Sequence, residues 1–377
     1  MSLTRRWWLD WWLRWLLDWW LPHLTPRTAL LLPVSWLFGL ATAIRRGLYR
    51  HRLFATHALP VPVIVVGNLT VGGSGKTPLV IALVQQLRQQ GYRPGVISRG
   101  YGRAARGRTD AHHGGPVEVT PASGPALCGD EPVLIARATG VPVFVHSDRV
   151  SAARALLAAH PDVNVIVSDD GLQHYALARD IEIAVFDARG AGNGCLLPAG
   201  PLREPLSRAT GLTALVRNAS GAHAAENGLH QRFPAMHAMQ FLPQACYQLI
   251  DPAQICALEQ LAGRVARHGA VTTTATTTTT ATTAIAAIAA IGHPERFFAT
   301  LRAAGLTLIE YPFPDHHAFT RADLVAISAP TLIMTEKDAL KCSAFNDARI
   351  WVLPVTAQLD AAFYDLILEK LRGRQAA

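Results

Sequence analysis

Lysine and cysteine are both scarce in this sequence, and each scarcity carries information. Only four lysines, Lys76, Lys337, Lys341 and Lys370, stand beside 31 arginines, so each lysine in this chain needs a specific reason more than an arginine does. The few cysteines form no CxxC pair and are odd in number, which favours reduced thiols in the cytosol over a disulfide framework or a zinc site. The five cysteines are Cys128, Cys195, Cys246, Cys256 and Cys342.

Acidic residues are outnumbered, and the chain carries a formal net charge of +8. A basic balance favours anionic partners such as nucleic acid, phosphorylated metabolites or an anionic membrane face, and charge alone does not choose among them. The 377 residues are long enough for two domains, each with its own core.

Aromatic residues are concentrated at the N-terminus, where residues 5–21 hold seven of the nine tryptophans. On a helix, Asp10, Arg14 and Asp18 form one charged stripe and the tryptophans cover a wide apolar face. Tryptophan prefers the boundary between membrane and water. The segment is therefore predicted to lie at a membrane, and its charges argue against a signal peptide.

A second apolar segment, Thr28 to Ile44, runs for 17 residues without a charge. It is slightly short for a spanning helix, and Pro33 and Gly39 are expected to interrupt it. We interpret residues 1–50 as lying in the inner face of a membrane. A hairpin packed on the protein itself or on a second copy, and a single span, remain alternatives. The residues expected to meet anionic headgroups are Arg45, Arg46, Arg50 and Arg52.

A phosphate-binding loop is predicted in "VPVIVVGNLTVGGSGKTPLVIALVQQLRQQG". A buried strand over Val61–Val66 leads into a glycine-rich turn and then into a helix. Backbone N–H groups of such a turn surround phosphate oxygens, Lys76 reaches the β- and γ-phosphates, and the Thr77 hydroxyl binds Mg²⁺. The strict pattern would place glycine where Thr70 stands. The predicted nucleotide-binding residues are Thr70, Val71, Gly72, Gly73, Ser74, Gly75, Lys76 and Thr77.

A second carboxylate for the metal is expected at the end of a neighbouring strand. "VNVIVSDDGLQH" supplies it, since a strand over Val163–Ser168 ends in Asp169 and Asp170. Other buried strands alternate with helical stretches, which is typical of a doubly wound parallel sheet of the P-loop NTPase type. Those strands are Gly95–Ser98, Val141–Val145, Ile181–Phe186 and Leu212–Val216.

Three classes of P-loop protein compete for this pattern. A GTPase requires an Asn-Lys-x-Asp motif, which the sequence lacks. A membrane-recruited ATPase switch of the partitioning type has a signature lysine where this chain has Val71. A small-molecule or lipid kinase needs a base for the acceptor hydroxyl and cations for the phosphoryl group. Taken singly, each candidate for those roles also has an ordinary structural explanation. The candidates are Asp130, Glu131, Arg149, Arg203, Glu204, Asp315, His316 and His317.

Eight motifs occur in this order along the chain: "VGNLTVGGSGKTP", "SRGYGR", "GDEP", "SDDGLQH", "GNGCLLPAGPLREP", "HPERFF", "FPDHHAF" and "TEKDALKC". Their order and approximate spacing resemble the tetraacyldisaccharide 4'-kinase family of the lipid A pathway, from about Thr28 to the C-terminus. The resemblance implies transfer of the γ-phosphoryl of ATP, with Mg²⁺, to the 4'-hydroxyl of an acylated glucosamine disaccharide 1-phosphate. It implies work at the cytoplasmic face of the inner membrane, as a peripheral or monotopic protein, and no nucleic-acid partner.

The same resemblance implies roles for individual residues. Asp130 resembles the catalytic base, and His316 resembles its partner, with His317 as the other candidate. Thr77 and Asp169 are expected to hold Mg²⁺. The residues expected close by are Asp170, Glu131 and His174; those expected to stabilise or order the phosphoryl region are Arg149, Arg203 and Glu204; Tyr101 is expected to face the lipid disaccharide.

The family has two lobes, and the resemblance predicts a P-loop core over 51–220 and a smaller C-terminal α/β lobe with a β linker over 221–377. Asp130 and His316 then come from different lobes, and we expect ATP with Mg²⁺ to favour lobe closure. Residues 271–291 depart from the family. Ten threonines occur among 272–283, so we predict a poorly ordered loop, then a short strand over Ala284–Ile291, without a catalytic role.

Overall fold

The computed structural model describes residues 25–100, 114–219, 229–261 and 285–375. Several sequence predictions concern segments outside these ranges. They are the tryptophan-rich residues 5–21, Tyr101, and the threonine-rich residues 272–283.

The P-loop strand lies in the middle of a mixed sheet that has nine strands within the described residues, in the order β15-β8-β7-β6-β1-β5-β2-β4-β3. The pairs from β8 to β4 are parallel, and the edge strands β3 and β15 are antiparallel to their neighbours. The strands are β1 Val63–Gly67, β2 Pro94–Ser98, β3 Val117–Val119, β4 Val143–Val145, β5 Val165–Asp169, β6 Ile181–Phe186, β7 Ala214–Asn218, β8 His237–Pro243 and β15 Val355–Leu359. The predicted doubly wound α/β sheet is confirmed, with antiparallel edges added.

Both faces of this sheet are covered, which explains why β1 has no exposed residue. Ile64 and Val66 belong to one core cluster, and Val63 and Val65 belong to the cluster on the opposite face. Side chains alternate between the faces of a strand, so a strand covered on both sides reads as a continuous apolar run. The predicted helix after the loop also packs as expected, with its leucines in the first cluster: Leu79, Leu83 and Leu87.

A second sheet has six strands in the described chain, in the order β10-β9-β14-β13-β11-β12. Its strand β11 begins one residue inside the predicted strand at 284–291, with five buried residues. The strands are β9 Cys246–Gln248, β10 Ile255–Cys256, β11 Ile285–Ala289, β12 Leu308–Pro312, β13 Thr331–Thr335 and β14 Ile350–Leu353. Strands β11, β12, β13 and β14 run parallel.

The helices of the described residues connect these strands and cover the two sheets. They are α1 Pro26–Arg50, α2 Lys76–Gln89, α3 Pro125–Cys128, α4 Asp130–Thr139, α5 Arg149–Ala159, α6 Leu229–Arg232, α7 Pro294–Ala303, α8 Arg321–Val325, α9 Glu336–Cys342 and α10 Ala361–Gln375.

The C-terminal part of the chain is shared between the two sheets. Strands β8 and β15 extend the first sheet, and α10 buries Phe363, Ile367 and Leu371 in the core of that sheet. A boundary near residue 220 therefore does not separate the strands of the two sheets. The division into 51–220 and 221–377 stays a prediction about folding units.

Helix α1 is continuous through Pro33, contrary to the expected interruption. Thr25 caps it, since the Thr25 hydroxyl accepts from the amide of Thr28, and Pro26 occupies a first-turn position where no amide donor is needed. By length and composition alone, 23 residues of this helix, Thr28–Arg50, are long and apolar enough to cross a membrane.

Candidate active site

The loop between β1 and α2 has the backbone of a phosphate cradle. Gly72 and Gly75 have φ angles of 112° and 92°, values that residues other than glycine rarely adopt. A Cβ at Gly75 would lie 2.4 Å from the Phe241 ring. The loop ends at the N-terminus of α2, where unpaired backbone N–H groups favour an anion.

Hydrogen bonds from buried side-chain amide and hydroxyl groups fix the conformation of this loop. The Ser74 hydroxyl donates to Asn68 Oδ1 at 2.7 Å, and the side-chain Nδ2 of Asn68 donates to the carbonyl of Gly72 at 3.2 Å. Asn218, at the end of β7, donates to the carbonyl of Ser74. Thr70 forms a bridge with Leu202 instead of adopting a left-handed backbone. This explains why the chain has no need for the glycine of the strict pattern at that position.

Lys76 lies at the start of α2 and reaches the end of β5. Its Nζ is 3.4 Å from Oδ1 of Asp170, and Arg203 approaches the same oxygen at 3.5 Å. Burial alone would raise the pKa of Asp170, but these two cations lower it below its usual value. Lys76 and Arg203 are therefore the two cations that a bound phosphate would meet at this end of the cradle.

Asp169 differs from its neighbour because its carboxylate is fully buried and poorly compensated. Oδ2 accepts from the Ser98 hydroxyl at 3.3 Å, while Oδ1 has no partner within the described part of the chain. Burial and the charge of Glu131 raise the pKa of Asp169 well above its usual value. An orphaned buried carboxylate oxygen next to a phosphate cradle fits a Mg²⁺ ligand, and Thr77 stands at the base of the same cradle.

No cluster of three metal-ligating side chains occurs among the described residues. Mg²⁺ commonly uses only one or two carboxylates together with phosphate oxygens and water. The expectation that Thr77 and Asp169 hold Mg²⁺ therefore does not require a third protein ligand and stays a prediction.

Asp130 and His316 are brought together from opposite sides of the site. Asp130 begins α4, beside the first sheet, and His316 follows β12 of the second sheet; His316 Nδ1 lies 3.1 Å from Asp130 Oδ2. His317 pairs instead with Asp323, at 3.2 Å. The geometry thus separates the two histidines that the sequence left unranked. The expected dependence of this contact on nucleotide stays a prediction.

Two lysines that the sequence analysis left without a role surround the same carboxylate. Lys337 and Lys341 each place Nζ 3.7 Å from Asp130 Oδ2. Burial alone would raise the pKa of Asp130, but the hydrogen bond from His316 and the charges of both lysines lower it to about 2. The scarcity of lysine in the sequence was the signal that could have identified them, because three of the four lysines lie at this site.

Arg149 and His174 lie beneath the end of β5. The Arg149 guanidinium donates to the backbone carbonyls of Asp169 and Asp170 and is almost fully buried. Burial lowers its pKa to about 10, against the attraction of the nearby carboxylates. His174 accepts from the amide of Arg149 at 3.4 Å. Arg149 thus contacts the backbone of both aspartates, and His174 contacts the backbone of Arg149.

Glu204 connects this site to helix α1 through Tyr175. The buried Glu204 carboxylate accepts from Gln173 and from the Tyr175 hydroxyl. The Tyr175 ring packs against Tyr49 at 5.8 Å between centroids, and Arg45 lies over its face. The expected residue Glu204 is therefore a link between the edge of the site and α1, and sequence spacing gave no indication of this contact.

A further contact between the two sheets, missed from the sequence, lies directly on the phosphate loop. Asp187, after β6, binds Arg189, which donates to the carbonyl of Val71 at 3.1 Å. His293, the residue immediately before α7, places Nε2 3.3 Å from Asp187 Oδ2. The "HPERFF" motif thus contacts the P-loop side of the site, while "FPDHHAF" contacts the Asp130 side.

Comparison with known proteins gives one consistent result. A family model described as tetraacyldisaccharide-1-P 4'-kinase (LpxK) matches residues 27–372. The tetraacyldisaccharide 4'-kinase of Janthinobacterium sp. (strain Marseille) is 50% identical over 352 residues, which cover 92% of this chain and 93% of the relative. The protein of the same name from Dechloromonas aromatica (strain RCB) is 47% identical over 353 residues, covering 93% and 95%.

Among solved structures, a crystal structure described as the "apo" form of LpxK from Aquifex aeolicus in complex with ATP is similar to this chain. Its TM-score is 0.70 at 27% sequence identity, and the match covers 91% of this chain and 99% of that one. Sequence and fold agree over nearly the whole length, and the chain belongs to the tetraacyldisaccharide-1-P 4'-kinase family.

Proposed function

We propose that this chain, an ATP-dependent kinase by family, transfers the γ-phosphoryl of ATP to the 4'-hydroxyl of an acylated glucosamine disaccharide 1-phosphate, with Asp130 as the acceptor of the hydroxyl proton. The observation that carries the assignment of Asp130 is its position. Asp130 is buried, and its lowered pKa keeps it ionised. The next residue, Glu131, is close enough to Asp169, beside the phosphate cradle, for its charge to raise the pKa of Asp169. Family membership favours this reaction over the alternative of a membrane-recruited ATPase switch.

The two oxygens of Asp130 have different surroundings. Oδ2 faces His316 Nδ1 and both lysines, whereas Oδ1 accepts one hydrogen bond, from the backbone amide of Glu131 at 3.1 Å. A carboxylate oxygen has two acceptor sites. Within the described residues, a lone pair of Oδ1 therefore remains to accept the hydrogen bond of a sugar hydroxyl.

In the reaction, the 4'-oxygen forms a bond to the γ-phosphorus, the bond from that phosphorus to the β,γ-bridging oxygen breaks, and ADP leaves. The hydroxyl proton passes to Asp130. A carboxylate with a pKa near 2 is a weak base. Because the transition state for phosphoryl transfer is loose, the proton leaves late, and orientation of the hydroxyl is the larger contribution of this residue.

Thr77 and Asp169 are the residues that would hold Mg²⁺, which neutralises charge on the β- and γ-phosphates when bound. Lys76 meets the phosphate oxygens as a compact cation. Arg203 and Lys76 both contact the Asp170 carboxylate. During the reaction, Arg203 could leave Asp170 and bind the phosphoryl group that is being transferred. Arg149 holds the backbone of the two aspartates in position, and His174 supports Arg149.

The experiment is transfer of label from γ-labelled ATP to the disaccharide 1-phosphate lipid in detergent, with product separated from ATP and inorganic phosphate. Wild type is expected to label the lipid, and Lys76→Met to lose this activity. Lys370→Met is the matched control, because Lys370 is an exposed lysine of α10. Release of labelled phosphate to water with unlabelled lipid would instead support the switch protein.

We also propose that α1 lies along the cytoplasmic face of the inner membrane instead of crossing it. One face of the helix is attached to the protein: the buried Ser35 donates to the carbonyl of Leu196 at 2.8 Å, and Tyr49, fourteen residues later, packs on Tyr175. The other face carries a row of exposed apolar residues. They are Leu30, Val34, Leu37, Leu40 and Ile44, with Trp36 beside them.

A helix attached to the protein along its length, with an apolar row outward, suits an interfacial position. The acyl chains of the substrate must stay largely in the bilayer, since each exposed CH₂ costs about 0.8 kcal/mol. Cosedimentation with anionic vesicles tests the proposal. The double variant Leu30→Ser, Leu37→Ser should bind vesicles more weakly than wild type. Val325→Ser, an equally exposed apolar residue of α8, should not; equal binding by all three proteins would refute the role of α1.

A further inference from the structure

Three carbonyl groups of the phosphate loop accept hydrogen bonds from side chains that lie outside the glycine-rich turn. The donors and their carbonyls are Arg189 with Val71 at 3.1 Å, Asn68 with Gly72 at 3.2 Å, and Asn218 with Ser74 at 3.2 Å. The peptide bonds of the loop are trans, so each carbonyl and the N–H of the next residue point in opposite directions. Holding a carbonyl therefore fixes the direction of the following N–H group.

Arg189 is the charged member of these three donors, and a buried carboxylate anchors it. Its Nε and Nη2 donate to Asp187 Oδ2 at 2.9 and 2.6 Å, and its backbone amide donates to Asp187 Oδ1 at 2.9 Å. His293 of the second sheet contacts the same Oδ2. Burial alone would raise the pKa of Asp187, but the hydrogen bonds from His293 and Arg189 lower it well below its usual value. The carboxylate is therefore ionised and holds the guanidinium in one orientation.

The guanidinium also packs against the backbone of the loop. A Cβ on Gly72 would lie 2.6 Å from Arg189 Nη2, so a side chain at this position would displace the guanidinium. The amide of Val71 donates to the carbonyl of Pro201 at 2.8 Å, so both backbone groups of Val71 are held. The amide of Gly72 has no acceptor among the described residues, and it is directed away from Arg189.

We propose that Arg189 is a positioning residue for the nucleotide: by holding the carbonyl of Val71, it directs the amide of Gly72 toward the phosphate groups of ATP, which Arg189 itself does not bind. A guanidinium can bind Asp187 through two nitrogens while one of them also reaches Val71, whereas a lysine ammonium is a single point charge. The loop therefore requires the shape of the guanidinium in addition to its charge.

This proposal concerns nucleotide binding, which can be measured without an acceptor lipid and without transfer. It can therefore fail separately from the proposed function. It also separates two roles for a cation beside the phosphate loop, since a cation that binds phosphate directly needs charge, and a cation that orients a peptide group needs directed hydrogen bonds.

Isothermal titration calorimetry with Mg²⁺·ADP, on protein without lipid, tests the proposal directly. Loss of one hydrogen bond to a charged phosphate weakens binding by about 10-fold to 100-fold, so Kd should rise by that factor in Arg189→Lys and by at least as much in Arg189→Met. Arg93→Lys is the matched control, because the exposed Arg93 pairs with Asp162 at the surface, and it should bind as wild type does. Wild-type affinity in Arg189→Lys would refute the proposal, since charge alone would then be sufficient.

Steady-state kinetics separates positioning from general structural damage. In Arg189→Lys, KM for ATP should rise by about the same factor as Kd, while KM for the lipid should stay at its wild-type value. Asp187→Asn should raise KM for ATP as well, and the double variant should exceed the stronger single variant little, because both act through one peptide group. Equal rises in both KM values, or a double effect equal to the product of the single effects, would refute the positioning role. The calorimetric test with Arg189→Lys does not require Asp187→Asn to fold.

Discussion

Asp130 and Asp169 are two buried carboxylates of one active site, and the protein treats them in opposite ways. Asp130 has His316, Lys337 and Lys341 around one oxygen, and its pKa is lowered to about 2. Asp169 has an oxygen without a partner in the described structure and a pKa raised by burial. The compensating cations of Asp130 come from the second sheet, whereas Asp169 lies within the first.

The difference indicates which ligand each carboxylate is suited to bind. Asp130 is charged and compensated before any ligand arrives, so it is ready to accept a hydrogen bond from a neutral hydroxyl. Asp169 is placed where its charge costs stability unless a cation arrives with the nucleotide. The site is thus preorganised electrostatically in two ways: Asp130 has its counter-charges within the protein, whereas Asp169 lacks them until a metal ion binds.

The largest expected effect is on turnover in Asp130→Asn. The amide keeps the shape but removes the proton acceptor, so kcat should fall by about 10²-fold to 10⁴-fold. KM for ATP should change little, because Asp130 has no contact with the P-loop in the described residues. Steady-state kinetics with the lipid substrate measures both constants. Retention of wild-type kcat would remove Asp130 from the reaction.

The next effect concerns Asp169 and the nucleotide. Mg²⁺·ATP at one hundred times its dissociation constant should raise the free energy of unfolding of wild type by about 2.7 kcal/mol. Asp169→Asn should lose most of this gain while keeping the smaller response to ATP without Mg²⁺. Chemical denaturation with each ligand measures the difference, with the exposed Asp162→Asn as control. An undiminished Mg²⁺·ATP gain would contradict the metal role.

A third prediction uses the pH dependence of stability. The folded-state pKa of Asp130 lies below its unfolded value of 3.8, so its contribution is complete above the unfolded pKa and is lost as the pH falls toward the folded one. The difference in unfolding free energy between wild type and Asp130→Asn should be about 2 kcal/mol at pH 6 and smaller by about 1 kcal/mol at pH 3. If this free-energy difference became larger as the pH fell, the folded-state pKa of Asp130 would lie above its unfolded value, which would contradict the prediction.

The smallest effect is expected at Asp315. It belongs to the same charged group as Asp130, but its side chain is 41% exposed and its nearest lysine, Lys337, is 3.9 Å away. Exposed pairs of this kind contribute little, so Asp315→Asn should change kcat by less than about fivefold. A loss as large as that of Asp130→Asn would show that the two carboxylates act together.

The sequence predicted the parts of this site that local pattern determines. The strand, glycine turn and helix around Lys76 follow from apolar runs and backbone geometry, and Asp169 follows from its place at a strand end. The pairing of His316 with Asp130 came only from resemblance. Contacts made by tertiary packing were not predicted. Lys337 reaches Asp130 because the next residue of α9, Asp338, accepts a hydrogen bond from the backbone amide of Ala290, which is far away in sequence.

The same limit explains the shared strands and the helix. No local pattern indicates that β15 returns to the first sheet, since an edge strand of either sheet would have the same alternation. Pro33 was expected to interrupt α1, but the capped N-terminus and the contacts of Ser35 hold the helix through it. Tertiary contacts overrode the local preference of proline in this case.

Equilibrium unfolding of both asparagine variants at pH 7, without nucleotide or Mg²⁺, tests the contrast between the two carboxylates most directly. We predict opposite signs: Asp130→Asn should lower the free energy of unfolding by about 2 kcal/mol, because Lys337 and Lys341 lose their counter-charge. Asp169→Asn should raise it by about 1 kcal/mol, because an uncompensated buried charge is removed. Equal losses in both variants would contradict the account.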